Sequence, residues 1–349
     1  GLVMVQMLTG RNPASCRSIP PSSLLAGLPD GLQHLACRCL NSDPGQRYAN
    51  ADEMACGIEQ LISALLLPLT EFEPRQAAIK PETPDEAKEG SESGNHASAL
   101  ICVWGSAELG CELAGALAER ESVLLIDADL MNPRADLLLG YKSARGRRAE
   151  AGRGSLDQAL AEDARGHLEL SVLNRLIEPS CVPKVSFLSS NSGLTNYDSH
   201  QLSSLLQVIH LARIVSRLVI VLCSRFIFDG FTCLCLQAAD LVLVPTAADA
   251  GSFREWMMAI EFQISRFNLN SEKVSLVAFS YDVSKDLSRG SMDELSAGRL
   301  IGCVSEASGR RTMKSGAVPY AKKLDRHNRR EYRDIIRRLR LARFLEREN

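Results

Sequence analysis

The stretch ALICVWGSAELGCELAGALAERESVLLIDADLMNPRADLLLG, residues 99 to 140, decides the fold. Leu100 to Trp104 is an apolar run of strand length, and Gly105 to Gly110, bounded by glycines, reads as a turn. Cys111 to Arg120 then carries apolar residues at helical spacing. A second apolar run, Val123 to Ile126, closes on Asp127 and Asp129. Strand, turn, helix and strand make a βαβ unit. In a parallel α/β sheet the ligand-facing groups collect at the carboxyl ends of the strands. A glycine turn after one strand and carboxylates after the next are therefore expected at one crevice.

The spacing Gly105-x-x-x-x-Gly110 is that of a phosphate-binding loop, which normally continues with Lys and then Ser or Thr. Here Cys111 and Glu112 follow. The lysine sets a positive charge on the β and γ phosphates and the hydroxyl holds magnesium; a thiol and a carboxylate supply neither.

Residues 99 to 320 resemble the MinD/ParA superfamily of deviant P-loop ATPases, in particular its CpaE-like branch. VWGSAELGCELAGALA resembles the first loop and helix of that branch, and VLLIDADLMNP its second strand with the acidic pair. SRLVIVLCSRF falls where the family has a strand closing on an Asp, and QAADLVLVPTAADAGSFREWMMAI resembles its "ADLVLLV" strand and following helix. The resemblance implies a doubly wound, mainly parallel α/β sheet and a site for ATP and magnesium. By it, Gly105, Gly110, Cys111, Glu112, Asp127 and Asp129 are the vestigial nucleotide-binding set, and Leu222 stands where the magnesium-orienting Asp would be. The departures at Cys111, Glu112 and Leu222 all fall on nucleotide chemistry. ATP and magnesium are thus expected to bind weakly at best, with no catalytic residue and no metal ligand assigned. Glu108 or Glu112 is expected to take the helix-end amides that a phosphate would use. Asp127 and Asp129 have two readings: the family's water and metal ligands, or caps for the strand end and the turn after it.

Composition sets the bounds. The chain has 349 residues, 45% of them hydrophobic, enough for two domains with an ordinary core. A formal net charge of −2 gives no global sign of a nucleic-acid coat or a membrane-surface protein. The eleven cysteines are scattered through apolar segments without a disulfide framework, and Cys37-x-Cys39 and Cys233-x-Cys235 lack the spacing of zinc or redox sites. A reducing cytoplasm and core packing account for them. The longest apolar run, Leu61 to Leu69, is about half of the ~20 residues that a membrane span needs. The chain opens without Met inside a helix-like run, so a fragment is expected.

Residues 1 to 67 read as all-α: Gly1 to Thr9 is apolar and helix-compatible, and Leu28 to Cys39 and Asp52 to Leu65 are amphipathic, with a polar turn at Asn41 to Gln46. GLVMVQMLTGRNP and LPDGLQHLACRCLNSDPGQRYANADEM resemble the last helices of a bacterial eukaryotic-type Ser/Thr protein kinase domain. The resemblance implies that Arg47 is the structural arginine that pairs with a buried Glu, and that every catalytic kinase residue would lie upstream of Gly1. Residues 68 to 98, rich in proline and acidic residues, read as a disordered linker.

Beyond the first unit, Lys142 to Arg153 reads as a surface loop. Ser155 to Ala161 reads as helix and Leu168 to Leu173 as strand. Gln201 to Val215 and Gly251 to Phe267 read as helices, and a short helix closes at Leu236 to Ala239. Leu218 to Cys223, Leu241 to Val244, Val274 to Phe279 and Leu300 to Val304 read as strands. The organisation expected is a kinase-type remnant at 1–67, a linker at 68–98, the MinD/ParA-like domain at 99–321 and a basic carboxyl-terminal helix at 322–349. That tail has eleven Lys/Arg against five Asp/Glu, with Tyr332, Ile335, Ile336, Leu339 and Ala342 as an apolar stripe. It reads first as a helix packed on the sheet, then as an attachment to anionic membrane. The partners expected are proteins, a second copy of the chain among them, and a membrane surface through the tail. Nucleic acid is disfavoured, because the basic loop Lys142 to Arg153 has no interleaved aromatics. The location expected is cytoplasmic, with peripheral attachment at the inner membrane as the alternative.

Overall fold

The computed structural model describes residues 30–41, 43–58, 60, 98–140, 155–190, 197, 200–311 and 318–339. The chain divides into two compact units, Gly1–Glu73 and Pro74–Asn349. The expected helix at Gly1 to Thr9, the linker up to residue 97 and the loop at Lys142 to Arg153 lie outside the described residues.

In the first unit, helix α1 (Asp30–Leu40) buries Leu35 and Ala36. Asp43 caps the tight turn Pro44–Gln46 by accepting from the Gly45 amide at 2.9 Å. Helix α2 covers residues 51–58. Arg47 is exposed, and its Nε donates to the Asn41 carbonyl at 2.7 Å; Arg38 pairs with Glu53 and lies over the Tyr48 ring.

The second unit is an eight-stranded sheet ordered β3-β4-β2-β5-β1-β6-β7-β8. The strands are β1 (Ala99–Trp104), β2 (Val123–Asp127), β3 (Glu178–Pro179), β4 (Val185–Leu188), β5 (Leu218–Cys223), β6 (Leu241–Thr246), β7 (Val274–Tyr281) and β8 (Leu300–Ser305). Every pairing is parallel except β3 with β4. Between them run α3 (Ala107–Leu117), α4 (Ala135–Leu139), α5 (Ser155–Ala164), α6 (Leu170–Leu176), α7 (Leu202–Val215), α8 (Gly230–Ala238), α9 (Ala250–Phe267), α10 (Arg289–Leu295) and α11 (Arg326–Arg338). The expected mainly parallel α/β sheet is what the chain forms. β1, β2 and β5 are buried on both faces, which is why they read as unbroken apolar runs.

Side chains alternate across the sheet, so β1 serves two cores. Ala99, Ile101 and Val103 join the cluster that holds α3 and α11, whereas Cys102 touches Cys223 and Trp104 meets Trp256 of α9. The tail helix packs its stripe inward: Tyr332, Ile335 and Leu339 are buried, and a Cβ on Gly302 of β8 would fall 2.7 Å from Ile335 Cγ1. Of the tail, Ala342 and the residues from 340 onward lie outside the described part.

One expectation fails outright. Leu168 to Leu173 belongs to no strand; α6 runs Leu170–Leu176 instead, with Leu173 as its buried anchor and Leu170 and Leu176 half-buried three residues to either side. The alternation at Leu168, Leu170 and Val172 imitates a strand, but the burial follows the helical period.

Candidate functional site

The crevice lies at the carboxyl ends of β1, β5 and β2, the strands that the parallel registers place side by side. Leu222 of β5 sits opposite Val103 of β1 on one side and opposite Asp127 of β2 on the other. The sequence-marked residues therefore do converge, and the chemistry of each can be read in place.

The expected phosphate loop is absent. β1 ends at Trp104, Gly105 turns with φ +94°, Ser106 caps, and α3 begins at Ala107, so most of the stretch between the two glycines is helix. Ser106 Oγ accepts from the Leu109 amide at 3.2 Å and the Gly110 amide bonds to the Ser106 carbonyl at 3.4 Å. The helix thus starts well before Cys111, where the spacing of glycines predicts it, and the Leu109 amide is spent on its own cap. The local signal for this was Ser106 with Glu108 two residues on, a cap and an acidic first turn.

Both glycines are needed for close packing. A Cβ on Gly105 would lie 2.9 Å from Trp256 Cη2, and one on Gly110 would lie 2.1 Å from Leu222 Cδ2. Trp256, 5% exposed, fills the space over the β1 turn, while Leu222, 1% exposed, fills the space under α3. Where the family would hold a metal-orienting carboxylate, this chain has an isobutyl group against helix backbone.

The acidic residues are spent within the protein. Glu108 makes a two-pronged ion pair with Arg134, at 2.7 and 3.1 Å. Glu112 is buried and takes the Arg310 fork at 2.6 and 2.9 Å and the Tyr332 hydroxyl at 2.8 Å. Neither fills the helix end, as had been expected of one of them; Ser106 does that. Burial pushes the Glu112 carboxyl up, and Arg310 and Tyr332 pull against it. Cys111 is buried, and burial with the Asp127 carboxylate nearby drives its thiol well above the ordinary range, so it stays protonated and inert.

Asp127 Oδ2 accepts from the Arg134 and Ala135 amides at 2.8 and 2.7 Å, capping α4. Its Oδ1 is buried, with no partner among the described residues. Burial raises the carboxyl to about 7 against the pull of those two amides. Asp129 Oδ1 accepts from the Asn132 amide at 3.1 Å and closes the next turn, with its carboxyl also raised by burial. Asp127 thus caps the start of α4 and not the end of its own strand, while Asp129 closes the turn that follows. Among the described residues, no group of three His, Cys, Asp or Glu side chains is arranged to hold a metal ion.

Sequence reasoning missed Trp256, Arg134, Arg310 and Tyr332. Arg310 and Tyr332 lie 198 and 220 residues from Glu112, and no local pattern links them.

No protein-family model and no curated protein matches this sequence. Solved structures do match its fold. The septum site-determining protein MinD of Pyrococcus horikoshii, complexed with Mg-ADP, aligns at a TM-score of 0.56 and 14% identity over 70% of this chain and 97% of its own. A ParA family ATPase from Chlorobium tepidum aligns at 0.57 and 14% over 68% and 98%. A MinC:MinD cell division complex from Aquifex aeolicus aligns at 0.54 and 14% over 70% and 96%. The second unit thus has the α/β fold of the MinD/ParA-type P-loop ATPases.

Proposed function

We propose that the second unit is a pseudo-ATPase of MinD/ParA type, a non-catalytic regulatory or localisation module that acts through its surface. The observation that carries this is the start of α3 at Ala107, which puts most of the stretch between the two glycines in helix, with the Gly105, Leu109 and Gly110 amides already bonded within the protein. Leu222 under Gly110 and Trp256 over Gly105 support it, because both occupy space at the crevice with apolar atoms. A protein partner, a second copy of the chain included, is supported by the exposed aromatics beside the crevice. Phe226 and Phe228, on the segment after β5, are 56% and 64% exposed, and Met258 on the outer side of α9 is 63% exposed. Membrane contact through the described part of the tail helix would be electrostatic only, since its apolar stripe is buried. Among the described residues no helix is long and apolar enough to cross a membrane.

The same proposal reads residues 1–67 as the end of a Ser/Thr kinase domain, joined to the module through the acidic segment. The capped Asp43-Pro44-Gly45 turn between α1 and α2 supports that reading. Phosphate release from ATP with magnesium tests the module. Wild-type protein and the Asp129→Ala variant should both stay at the buffer rate, and release that Asp129→Ala abolishes would move the domain to the active ATPases.

A further inference from the structure

On the flank of the second unit, away from the crevice, α11 crosses the carboxyl end of α3 and leaves a cleft of about 100 Å³. Arg120 lines it from α3's end and Arg329, Arg333 and Arg337 from α11, with Ile336 at its base. The three α11 arginines sit four residues apart, one above the other along the flank of the buried stripe, on the side of Ile336. Two carboxylates oppose the four guanidinium groups. Glu119 accepts from Arg329 Nε at 3.0 Å and lies 3.9 Å from Arg333, and Asp334 pairs with Arg337 at 3.2 Å. The cleft keeps a net charge of two positive, and Glu119 already shows that the arginine forks can converge on one anion.

We propose that this cleft binds a phosphate dianion, either free inorganic phosphate or the phosphomonoester of a phosphorylated peptide side chain, which displaces Glu119 from Arg329 and Arg333. The size and closure of the cleft suit one compact anion. A monoester offers two charges and three terminal oxygens to converging forks, whereas a phosphodiester offers one charge and must continue in both directions. The bilayer alternative lacks an anchor, because Tyr332, Ile335 and Leu339 of α11 are buried and Ile336 is half-buried at the base of the cleft.

The full-length chain can be titrated calorimetrically at low salt with inorganic phosphate, with a short phosphoserine peptide and with the same peptide unphosphorylated. Saturable binding of phosphate is expected, with the unphosphorylated peptide silent. Phosphopeptide binding tighter than phosphate assigns the ligand to a protein side chain, and phosphate binding alone assigns it to the free ion. Arg120→Gln and Arg333→Gln should each weaken binding about tenfold, and Glu119→Gln should tighten it by roughly fivefold, with unchanged melting temperatures. The Glu119 result separates a site from general basicity, because an internal counter-ion matters only where the ligand takes its place. No saturable heat with either phosphate ligand would overturn the proposal, as would unchanged affinity in Arg333→Gln. So would binding of duplex DNA or phosphatidylglycerol vesicles that phosphate does not compete away.

Discussion

Arg310→Met should destabilise the second unit by about 3 to 5 kcal/mol, the usual effect of removing one partner from a buried ion pair. The side chains of Arg310 and Glu112 are only 8% and 4% exposed, and the guanidinium holds both carboxylate oxygens. It also lies 4.4 Å from the Phe279 ring centroid, so its flat faces are packed. Without it, Glu112 keeps only the Tyr332 hydroxyl and remains a buried charge in the second turn of α3. The melting temperature should fall by about 10 °C. The double variant Glu112→Leu with Arg310→Met should recover most of the loss, because an apolar pair leaves no charge to solvate. A drop as large in the double variant as in the single one would mean that packing, and not the unpaired carboxylate, dominates.

Asp127 makes stability depend on pH in the direction opposite to that of a salt-bridged carboxylate. Its carboxyl titrates at about 7 in the folded protein against an ordinary 3.8, so the folded state binds the proton more tightly than the unfolded chain. Its contribution is complete below about pH 4, shrinks as the pH rises and is gone above about pH 7. A difference of roughly three pKa units corresponds to about 4 kcal/mol across that window. Asp127→Asn keeps an oxygen for the Arg134 and Ala135 amides and cannot ionise. Urea unfolding should show the variant near wild type at pH 4.5 and about 2 to 4 kcal/mol more stable at pH 8. An equal difference at both pH values would contradict the burial of an ionising Asp127.

The same residues show what was legible in the sequence. β1, β2, β5, β6 and β7 announced themselves because interior parallel strands are apolar over most of their length, and the edge strand β8 did so through its apolar run Leu300 to Val304. β3 and β4 did not: two and four residues, at the sheet edge and next to it, carry too little pattern. In the crevice, residue identity at Cys111, Glu112 and Leu222 marked the departures from a phosphate-binding loop on which the proposed pseudo-ATPase reading rests. The backbone consequence was hidden, because a glycine at Gly110 reads equally as a loop residue and as a contact point for a neighbouring side chain. Only Leu222 Cδ2 at its face decides between them. The Glu112 network was illegible for a different reason. A Glu within the buried part of an apolar helix signals that a partner exists, and the partner's position is fixed by topology alone.

Titration calorimetry of the full-length chain with ATP and magnesium tests the central claim most directly. Two or three charge-assisted phosphate or metal contacts are missing, each worth roughly 1.5 to 3 kcal/mol, so affinity should be about a thousandfold or more below that of a working site. No saturable heat is predicted at nucleotide concentrations up to about 1 mM. A dissociation constant in the low micromolar range would contradict it, because the helix from Ala107 would then have to unwind into a phosphate loop when nucleotide binds.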